Sequence, residues 1–490
     1  MGKYVLSRII KAIFSIFAVV SIVIGLIFTL IPRTKIFELD EGYRKLRGES
    51  RTTYTLSKYE ELGYMDYVKL QDMCNEKSDD VNACLITNSE ENLRVIQEYE
   101  NDGYTVEYLR SGSAYAYRDY SVMELVFNFW KNLIQIDTPS SVVDENNPNL
   151  ERKYYIGEDQ NGTFAIKCSG CEHEYILYFG DGFPWIHQNF ITLNFGVSYP
   201  TYKGVETLKV INQGQGEQVK IEQTFPTGVT LESAINQHTC VYKSTLDHLD
   251  TNKFTSNYAE CDSYYSSPSM VGTSLKFGLI SLIIAYVLSI PFGILMSRNK
   301  DKAIDKFGIA FINILIAMPS LALIFFVREI GVNFGLPDKF PLLGFDNVKS
   351  YIAPILVLTL INMPSLMTWT RRYMIDQSTS DYVKFARAKG LSQGEIFNKH
   401  ILKNAIIPII NGIPSSIVAC ISGAFITESA FAIPGMGKML PDAIKKLNNN
   451  MVITLVFIFS ALAIFSVLVG DLLMTAVDPR IQLVAKKGKK

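Results

Sequence analysis

Six long apolar runs without a charged residue constrain this 490-residue chain more than any other feature of its sequence. Each run has 20 to 24 residues, and a helix of about 20 residues crosses the roughly 30 Å hydrocarbon core of a bilayer. The runs are 12–31, 277–296, 307–327, 351–370, 404–427 and 451–470. We therefore predict a membrane protein with six transmembrane helices. The first run has no small-residue cleavage site after it, so we expect it to remain as an anchor.

The segment between the first two runs, residues 33–268, differs from the rest of the chain in charge and is called the acidic segment below. It carries 21 Lys and Arg against 36 Asp and Glu, a net charge of −15, whereas the remainder carries +14. If the N-terminus is cytoplasmic, the flanks on that side hold 19 Lys and Arg, against 7 in the short segments opposite. Because Lys and Arg concentrate in cytoplasmic loops, we predict that both termini are cytoplasmic and the acidic segment is extracellular. Most basic residues border apolar runs, which argues against a nucleic-acid-binding surface.

The cysteines agree with that topology. One, Cys420, lies in the fifth run, and the other six lie in the acidic segment: Cys74, Cys84, Cys168, Cys171, Cys240 and Cys261. An even set in an oxidising compartment is typical of disulfides, and spacing leaves their connectivity open, with sequence-local pairing as one solution. Cys168 and Cys171 are alternatively half of a zinc site or a redox pair. No second Cys-x-x-Cys follows, so we favour disulfides and expect no metal.

The acidic segment has helical patterns first and strand patterns later, which predicts an α+β domain large enough to form its own core. Residues 89–99 and 123–136 have the capped, amphipathic pattern of helices. Strand patterns follow at 163–167, 175–179, 207–211 and 218–222.

Motifs for catalysis are missing from the sequence. No Gly-x-x-x-x-Gly-Lys-Ser/Thr occurs, so the chain has no such loop for ATP. His173-Glu174 lacks the second histidine of a zinc protease, and no Gly-x-Ser-x-Gly elbow occurs. We therefore expect a subunit that is not an enzyme and binds no cofactor itself.

Segment 381–400, between the fourth and fifth runs, has the most informative cytoplasmic pattern. A first helix can be capped by Ser378 or Ser380 and ended by Gly390 in the left-handed conformation. Ser392, with a glutamate three residues later, forms a capping box that starts a second helix. The pattern predicts two short helices joined at a glycine.

The first of these helices has a small apolar face with a basic rim. One interpretation is an amphipathic linker on the membrane surface. The small residues Ala386 and Ala388 beside Gly390 instead favour docking into a groove of another protein. The docking residues that we predict are Asp381, Tyr382, Lys384, Phe385, Ala386, Arg387, Ala388, Lys389 and Gly390.

At these residues the sequence resembles the coupling loop of permease subunits in peptide-importing ABC transporters. The resemblance rests on FARAKGLS at 385–392, followed by His400 and NAIIP at 404–408. It extends over residues 270–481 through ESAFAIPGMG at 428–437 and the end of the last run. Lys384 and Phe385 depart from the Glu and Ala of the wider motif. The acidic segment is similar to that of the Ami-type oligopeptide permeases of streptococci in HQNF at 187–190, SYPTY at 198–202, VINQGQG at 210–216 and FPTG at 225–228.

The resemblance implies an all-α polytopic membrane protein of the ABC importer permease type, with an α+β extracellular domain inserted between helices 1 and 2. It divides the chain into an anchor helix, an extracellular domain, a five-helix permease core with a coupling loop at 376–403, and a basic tail. These parts are residues 1–32, 33–268, 269–482 and 483–490.

The resemblance also implies partners in a bacterial plasma membrane. They are a second homologous permease, two cytoplasmic ATPase subunits that hold ATP and Mg²⁺, and an extracellular lipid-anchored peptide-binding protein. Three charged residues at the outer ends of spans are candidates for the translocation path, the peptide entrance or the contact with the binding protein: Arg328, Glu329 and Glu428. The alternative is a position among lipid headgroups. We expect Asp471 to pair with a cytoplasmic-side Arg or Lys. Alternative cargoes are dipeptide, glutathione or a nickel chelate, and a membrane-anchored receptor or adhesin is an alternative class.

Overall fold

A computed structural model describes four stretches of the chain. They are residues 2–180, 185–212, 218–265 and 269–477. The predicted basic tail, the last four residues of the family resemblance (478–481) and the glycine-rich end of the 210–216 motif lie outside the described residues.

The described part of the chain is mostly helical. In chain order the α-helices are α1 (Gly2–Leu30), α2 (Glu41–Lys45), α3 (Gly48–Glu61), α4 (Leu70–Lys77), α5 (Val81–Cys84), α6 (Glu90–Asn101), α7 (Val122–Asn132), α8 (Thr207–Asn212), α9 (His248–Thr251), α10 (Met270–Arg298), α11 (Ala303–Ala317), α12 (Ser320–Asn333), α13 (Lys349–Ser378), α14 (Asp381–Ala388), α15 (Gln393–Glu395), α16 (Lys403–Ala405), α17 (Ile407–Gly423), α18 (Phe425–Ala430), α19 (Met439–Lys445) and α20 (Asn449–Val477). A π-helical stretch, Ile396–Leu402, joins α15 to α16.

The described strands all lie in the acidic segment and pair antiparallel. They are β1 (Met65–Lys69), β2 (Thr105–Tyr108), β3 (Ala114–Asp119), β4 (Ile134–Ile136), β5 (Lys153–Glu158), β6 (Phe164–Ser169), β7 (Tyr175–Phe179), β8 (Ile186–Gln188), β9 (Ile191–Leu193), β10 (Ile221–Thr224), β11 (Thr230–Ser233), β12 (Val241–Tyr242) and β13 (Tyr258–Glu260). They form a three-stranded sheet in the order β1-β3-β2, a four-stranded sheet in the order β5-β6-β7-β8, and the ribbons β4-β9, β10-β11 and β12-β13.

Five described helical stretches are long and apolar enough to cross a membrane. They are Val5–Leu30 in α1, Met270–Arg298, Lys349–Ser378, Gln393–Ala430 and Asn449–Val477. The third apolar run, predicted as one helix, is instead split into α11 and α12, which meet at 103°. The break falls at Met318 and Pro319, both of which have extended ψ angles, because proline disfavours the helical conformation of the residue before it.

The long helices pack closely where glycine faces a neighbouring helix. A Cβ placed on Gly293 of α10 would lie 2.8 Å from the Cβ of Thr370 in α13, and one on Gly278 would lie 2.9 Å from the Cβ of Cys420 in α17. Small residues at helix contacts are the usual route to close packing in membranes. The helix α10 therefore packs closely against both α13 and α17.

The acidic segment is packed onto the long helices. Val210 and Ile211 of α8 share a buried cluster with Val20 and Ile24 of α1 and Leu455 of α20. The helix α8 replaces the strand predicted at 207–211, which was wrong. The same residues fit helical spacing, and α8 buries Thr207, Val210 and Ile211 together.

Three consecutive asparagines at the start of α20 also join the two parts. Asn448 Nδ2 donates to Ser198 Oγ (2.7 Å), and Asn449 Nδ2 donates to the Tyr64 hydroxyl (2.8 Å). Asn450 Nδ2 donates to the carbonyl oxygen of Val197 (3.0 Å). Both Asn448 and Asn449 are buried, so these contacts fix the acidic segment to the end of α20.

Most of the other predicted elements in the acidic segment are confirmed. The helix predicted at 89–99 is α6, capped by the Ser89 side chain, and the strands at 163–167 and 175–179 correspond to β6 and β7. The predicted strand at 218–222 overlaps β10 only at its end. The helix predicted at 123–136 ends early, because residues 134–136 pair with β9 as a strand.

The six cysteines of the acidic segment are joined in three sequence-local pairs. The pairs are Cys74 with Cys84, Cys168 with Cys171, and Cys240 with Cys261. All but Cys261 are buried, and Cys74 and Cys84 lie inside the core formed by α4, α5, α6 and the first sheet.

A buried carboxylate, Asp40, ties together distant parts of the acidic segment. It accepts hydrogen bonds from the hydroxyls of Tyr54 (2.7 Å) and Tyr199 (2.6 Å) and from Lys203 Nζ (2.5 Å). Burial alone raises the pKa of Asp40, but the hydrogen bonds from Lys203, Tyr199 and Tyr54 outweigh it and hold the pKa well below its usual range. Asp40 is therefore ionised in the folded protein at neutral pH.

Candidate functional site

Segment 381–400 begins with α14, whose end is built by a glycine. Gly390 has φ +79°, its N–H donates to the carbonyl of Arg387 (2.9 Å), and the Leu391 N–H donates to that of Ala386 (3.3 Å). This is the Schellman arrangement that satisfies the last carbonyls of a helix. These contacts confirm the left-handed glycine stop. At the other end of α14, Ser380 occupies the N-cap position but makes no side-chain cap hydrogen bond.

The second helical stretch starts where the sequence predicted. Ser392 Oγ accepts from the Glu395 N–H (3.3 Å), and the Glu395 carboxylate accepts from the Ser392 N–H (3.2 Å), which confirms the capping box. The guanidinium of Arg298, at the end of α10, lies 3.7 Å from the ring centre of Phe397. This cation–π contact ties the segment to a long helix.

The side chains of α14 divide between the chain's own interior and its surface. Val383 and Ala386 are buried in a cluster with Met374, Ile396 and Ile401. The Tyr382 hydroxyl donates to Gln377 Oε1 (2.6 Å) within the chain. Ala386 therefore packs α14 against the end of α13. Because Ala386 is buried inside the chain, it does not lie on the docking face where we predicted it.

The exposed side of α14 carries one large apolar side chain among charged groups. Phe385 is 69% exposed, and a Cβ at Gly390 would meet nothing within 4 Å among the described residues. The exposed residues are Asp381, Lys384, Phe385, Arg387, Ala388, Lys389 and Gly390. A hydrogen bond from Lys384 (2.8 Å) lowers the pKa of Asp381. This surface offers an apolar anchor with a mainly basic rim.

Next to this segment, an ion pair that sequence reasoning missed joins α11 to α13. Arg371 Nε and Nη2 donate to the two carboxylate oxygens of Asp305 at 2.6 and 2.8 Å. Asp305 is fully buried, and bidentate pairing is the strongest form of such a contact. The sequence did contain a signal for this pair. Asp305 lies two residues before the third apolar run, and Arg371 directly follows the fourth.

On the opposite side of the bundle, Glu428 of α18 is buried rather than facing an entrance. Its exposed fraction is 2%, and it accepts hydrogen bonds from Ser274 Oγ (2.6 Å) and the Lys438 N–H (2.9 Å). Ser274 Oγ in turn accepts from the Met436 N–H (2.7 Å). A Cβ on Gly435 would lie 2.3 Å from the Glu428 carboxyl carbon, so a larger residue there would have to displace the Glu428 carboxyl group. Glu428 therefore closes the loop before α19 against α10.

The other two predicted entrance residues lie on α12. Arg328 Nη2 contacts Glu329 Oε1 (3.2 Å), and the Glu329 side chain is 67% exposed. The Arg328 guanidinium lies 4.5 Å from the ring centre of Phe325. The structure does not bring these residues into hydrogen-bond contact with Glu428, so the three predicted residues do not form one cluster.

An ion pair joins α1 to α20 near their cytoplasmic ends in the proposed orientation. Arg8 Nη2 of α1 lies 3.1 Å from Asp471 Oδ2 of α20, which confirms that Asp471 pairs with an Arg or Lys.

Among the residues that the structure describes, no group of three His, Cys, Asp or Glu has the geometry to hold a metal ion.

This chain matches one family of known proteins over its C-terminal part and one relative over its full length. Residues 289–483 match the family described as binding-protein-dependent transport system inner membrane component. The chain is 41% identical over 500 residues, covering 100% of both chains, to the oligopeptide transport system permease protein AmiC of Streptococcus pneumoniae serotype 4. It is 32% identical over 220 residues to the oligopeptide transport system permease protein AppB of Bacillus subtilis, covering 43% of this chain and 69% of AppB.

Among solved structures, the MetNI methionine ABC transporter in an inward-facing conformation matches with a TM-score of 0.35 and 18% identity, covering 42% of this chain and 94% of that one. The full-length match to AmiC assigns this multi-pass membrane protein to a family. The chain belongs to the binding-protein-dependent transport system inner membrane components, the permease family that includes AmiC.

Proposed function

We propose that this chain is a permease subunit of an ATP-driven ABC importer for oligopeptides and forms half of the translocation path. The observation that carries the proposal is the 41% identity to AmiC over the full length of both chains, which includes the acidic segment. Reconstitution with its partners in proteoliposomes tests it. ATP-dependent accumulation of labelled oligopeptide is expected, and accumulation of only a dipeptide or a nickel chelate would contradict the cargo.

Dipeptide is the second candidate cargo. The dipeptide transport system permease protein DppB of Lactococcus lactis is 30% identical over 239 residues, but that match covers 47% of this chain. Competition between unlabelled dipeptide and labelled oligopeptide in the same vesicles distinguishes the two. A receptor or adhesin would neither co-purify with ATPase subunits nor accumulate peptide, and a membrane enzyme would cleave peptide instead of importing it.

The topology that we propose has six spans, with the bent pair α11 and α12 counted as one. Both termini are cytoplasmic, and the parts are an anchor, an extracellular domain, a core and a tail at 1–32, 33–268, 269–482 and 483–490. The distribution of Lys and Arg supports this orientation. Labelling of single cysteines with an impermeant reagent tests it, and cytoplasmic labelling of the acidic segment would overturn it.

Partner subunits follow from the same proposal. A second permease would complete the path, two ATPases that bind ATP and Mg²⁺ would dock on segment 381–400, and a lipid-anchored binding protein would deliver peptide. The structure supports docking through the exposed side of α14, centred on Phe385, with Val383 and Ala386 holding the helix from below. An apolar anchor ringed by charge is the usual composition of such contacts.

Phe385→Ala tests the docking surface, with Ile444→Ala as the matched control. Ile444 of α19 is also exposed (56%) but lies on the opposite side of the proposed topology. Truncating a central anchor typically costs about 2 kcal/mol or more, so Phe385→Ala should weaken ATPase binding roughly thirtyfold while Ile444→Ala leaves it unchanged. Equal binding in both variants would remove Phe385 from the interface.

For the acidic segment we propose a role in docking the binding protein. Its charge of −15 would attract a basic partner and change encounter rates more than final affinity. Deleting residues 33–268 would uncover Val20, Ile24 and Leu455, which this segment helps to bury, so charge variants make the sharper test. Neutralising the exposed Asp79 and Glu100 should raise the binding-protein concentration for half-maximal uptake at low salt, and unchanged uptake would refute docking.

A further inference from the structure

One face of α7 is apolar and exposed. Met123 is 78% exposed and Phe127, one turn further on, is 67% exposed. Leu125, on another face of the same helix, is buried. Residues four apart lie on the same side of a helix, so α7 presents an apolar stripe away from its own core.

The ribbon that follows α7 continues this exposed apolar surface. In the β4–β9 pair, Ile134 lies opposite Leu193 and Ile136 lies opposite Ile191. Directly opposed residues share a face, and so do residues two apart on a strand. All four side chains are exposed, by 59% for Ile134, 53% for Ile136, 45% for Ile191 and 39% for Leu193. The ribbon therefore has one wholly apolar face.

This surface lies beside the apolar run of α1. The indole N–H of Trp130, near the end of α7, donates to Ser21 Oγ (3.0 Å), and the Trp130 ring lies 5.0 Å from that of Phe17. At the other end of α7, Val122 lies 4.0 Å from where a Cβ of Gly25 would be. The helix thus runs antiparallel to α1, alongside residues 17–25 of the first apolar run.

The corner that connects α7 to the ribbon is packed on the long helices as well. Phe195, two residues after β9, lies 6.2 Å from Phe129 of α7 and 5.0 Å from Phe457 of α20 (ring centres). The Asn194 N–H donates to the carbonyl of Leu133, just before β4 (2.8 Å). The end of the ribbon next to α7 is therefore attached to α20 through Phe195.

The occupant that fits this surface is lipid. Phe17 contacts Trp130 and is itself 44% exposed, so the exposed face of α1 reaches the end of α7. Contiguous exposed apolar surface marks a contact with membrane or protein. Trp130 followed by the exposed Lys131 is the composition of a helix at the boundary between headgroups and acyl chains.

We infer that α7 and the β4–β9 ribbon are seated in the outer leaflet, so that this part of the acidic segment is embedded in the membrane. The inference rests on the crossing of the membrane by α1 and on the proposed orientation, and it is independent of the cargo. A segment of this kind buries its apolar face about 5–10 Å into the leaflet.

Fluorescence quenching in the assembled transporter tests this placement. A bimane label is placed at Ile136→Cys or Leu193→Cys after Cys420→Ala removes the free thiol, and the protein is reconstituted in nanodiscs with phosphatidylcholine carrying a doxyl group near the headgroup. A label about 5–10 Å deep should lose fluorescence to this lipid and resist iodide in water.

Two reference positions accompany the test. Ile22→Cys in α1 (61% exposed) should be quenched by the lipid probe, and Ile86→Cys (64% exposed), beside the core of α4 to α6, should be quenched only by iodide. Quenching of the ribbon labels by iodide alone would place the surface in water, and protection from both quenchers would place a protein on it. Either result overturns the inference.

The unmodified chain offers a second measurement that needs no substitution. A photoactivatable phosphatidylcholine, illuminated in the reconstituted transporter, should crosslink to peptides that contain residues 123–136 and 191–193. Crosslinks confined to the long helices would overturn the inference, even if the cysteine variants failed to assemble.

Discussion

Glu428 offers a direct test of whether a charged residue at the end of a span serves transport or architecture. Glu428→Ala removes the acceptor for both Ser274 Oγ and the Lys438 N–H. A hydrogen bond contributes about 0.5–1.5 kcal/mol between neutral groups and about 1.5–3 kcal/mol to a charged group, so the loss in free energy of unfolding should be about 1–6 kcal/mol. Glu428→Gln keeps one acceptor oxygen and should lose about half of that.

The contribution of the Ser274 contact can be isolated by a double-mutant cycle. Ser274→Ala, Glu428→Ala and the double variant are unfolded by titration with SDS in mixed micelles, and the coupling free energy should be about 0.5–3 kcal/mol. Glu329→Ala is the control, because its carboxylate is exposed and pairs with the neighbouring Arg328. Exposed pairs of this kind contribute about 0–1 kcal/mol.

The opposite result would restore the entrance role. If Glu428→Gln leaves the free energy of unfolding within about 0.5 kcal/mol of the wild type but changes which peptides are imported, the buried geometry is not the reason for this carboxylate. A coupling free energy near zero with large single effects would place the stabilising contact elsewhere.

Three further predictions concern other parts of the chain. Gly390→Val places a β-branched residue at φ +79°, a strain of about 1–3 kcal/mol, so ATP-driven uptake should fall while capture of peptide by the binding protein persists; normal coupled ATPase activity would contradict this. Thiol labelling of the denatured, unreduced chain should find only Cys420 reactive, and a higher count would show that a disulfide is not formed. Because the pKa of Asp40 is held below its usual range, its stabilising effect is present above about pH 4 and is lost as the pH falls through that lowered value. Asp40→Asn should therefore lower the melting temperature at pH 7 but differ progressively less from the wild type in strong acid, and a difference independent of pH would refute the contribution.

Local sequence rules predicted the elements that are decided by neighbouring residues. The capping box at Ser392, the stop at Gly390 and the cap at Ser89 depend on hydrogen bonds within one or two turns, so spacing is enough to find them. The apolar runs were found for the same reason, because the bilayer sets their length.

The failures share a different cause, which is tertiary contact. Residues 207–211 alternate well enough for a strand but form α8, because α1 and α20 supply an apolar surface at helical spacing. The burial of Ala386 depends on Met374, and that of Glu428 on Ser274, partners distant along the chain. The sequence pattern indicates which residues belong to the site, but it does not show which side of a helix faces the protein interior.

The asparagine triplet at the start of α20 has a mechanical consequence. Three side-chain amides clamp Ser198, Tyr64 and Val197, so the acidic segment has no free hinge at this helix end. A tilt of α20 during the transport cycle would therefore swing the attached domain as a lever, with displacement growing with distance from the clamp. In the proposed topology, ATP hydrolysis in the cytoplasm would then move the acidic segment at the cell surface.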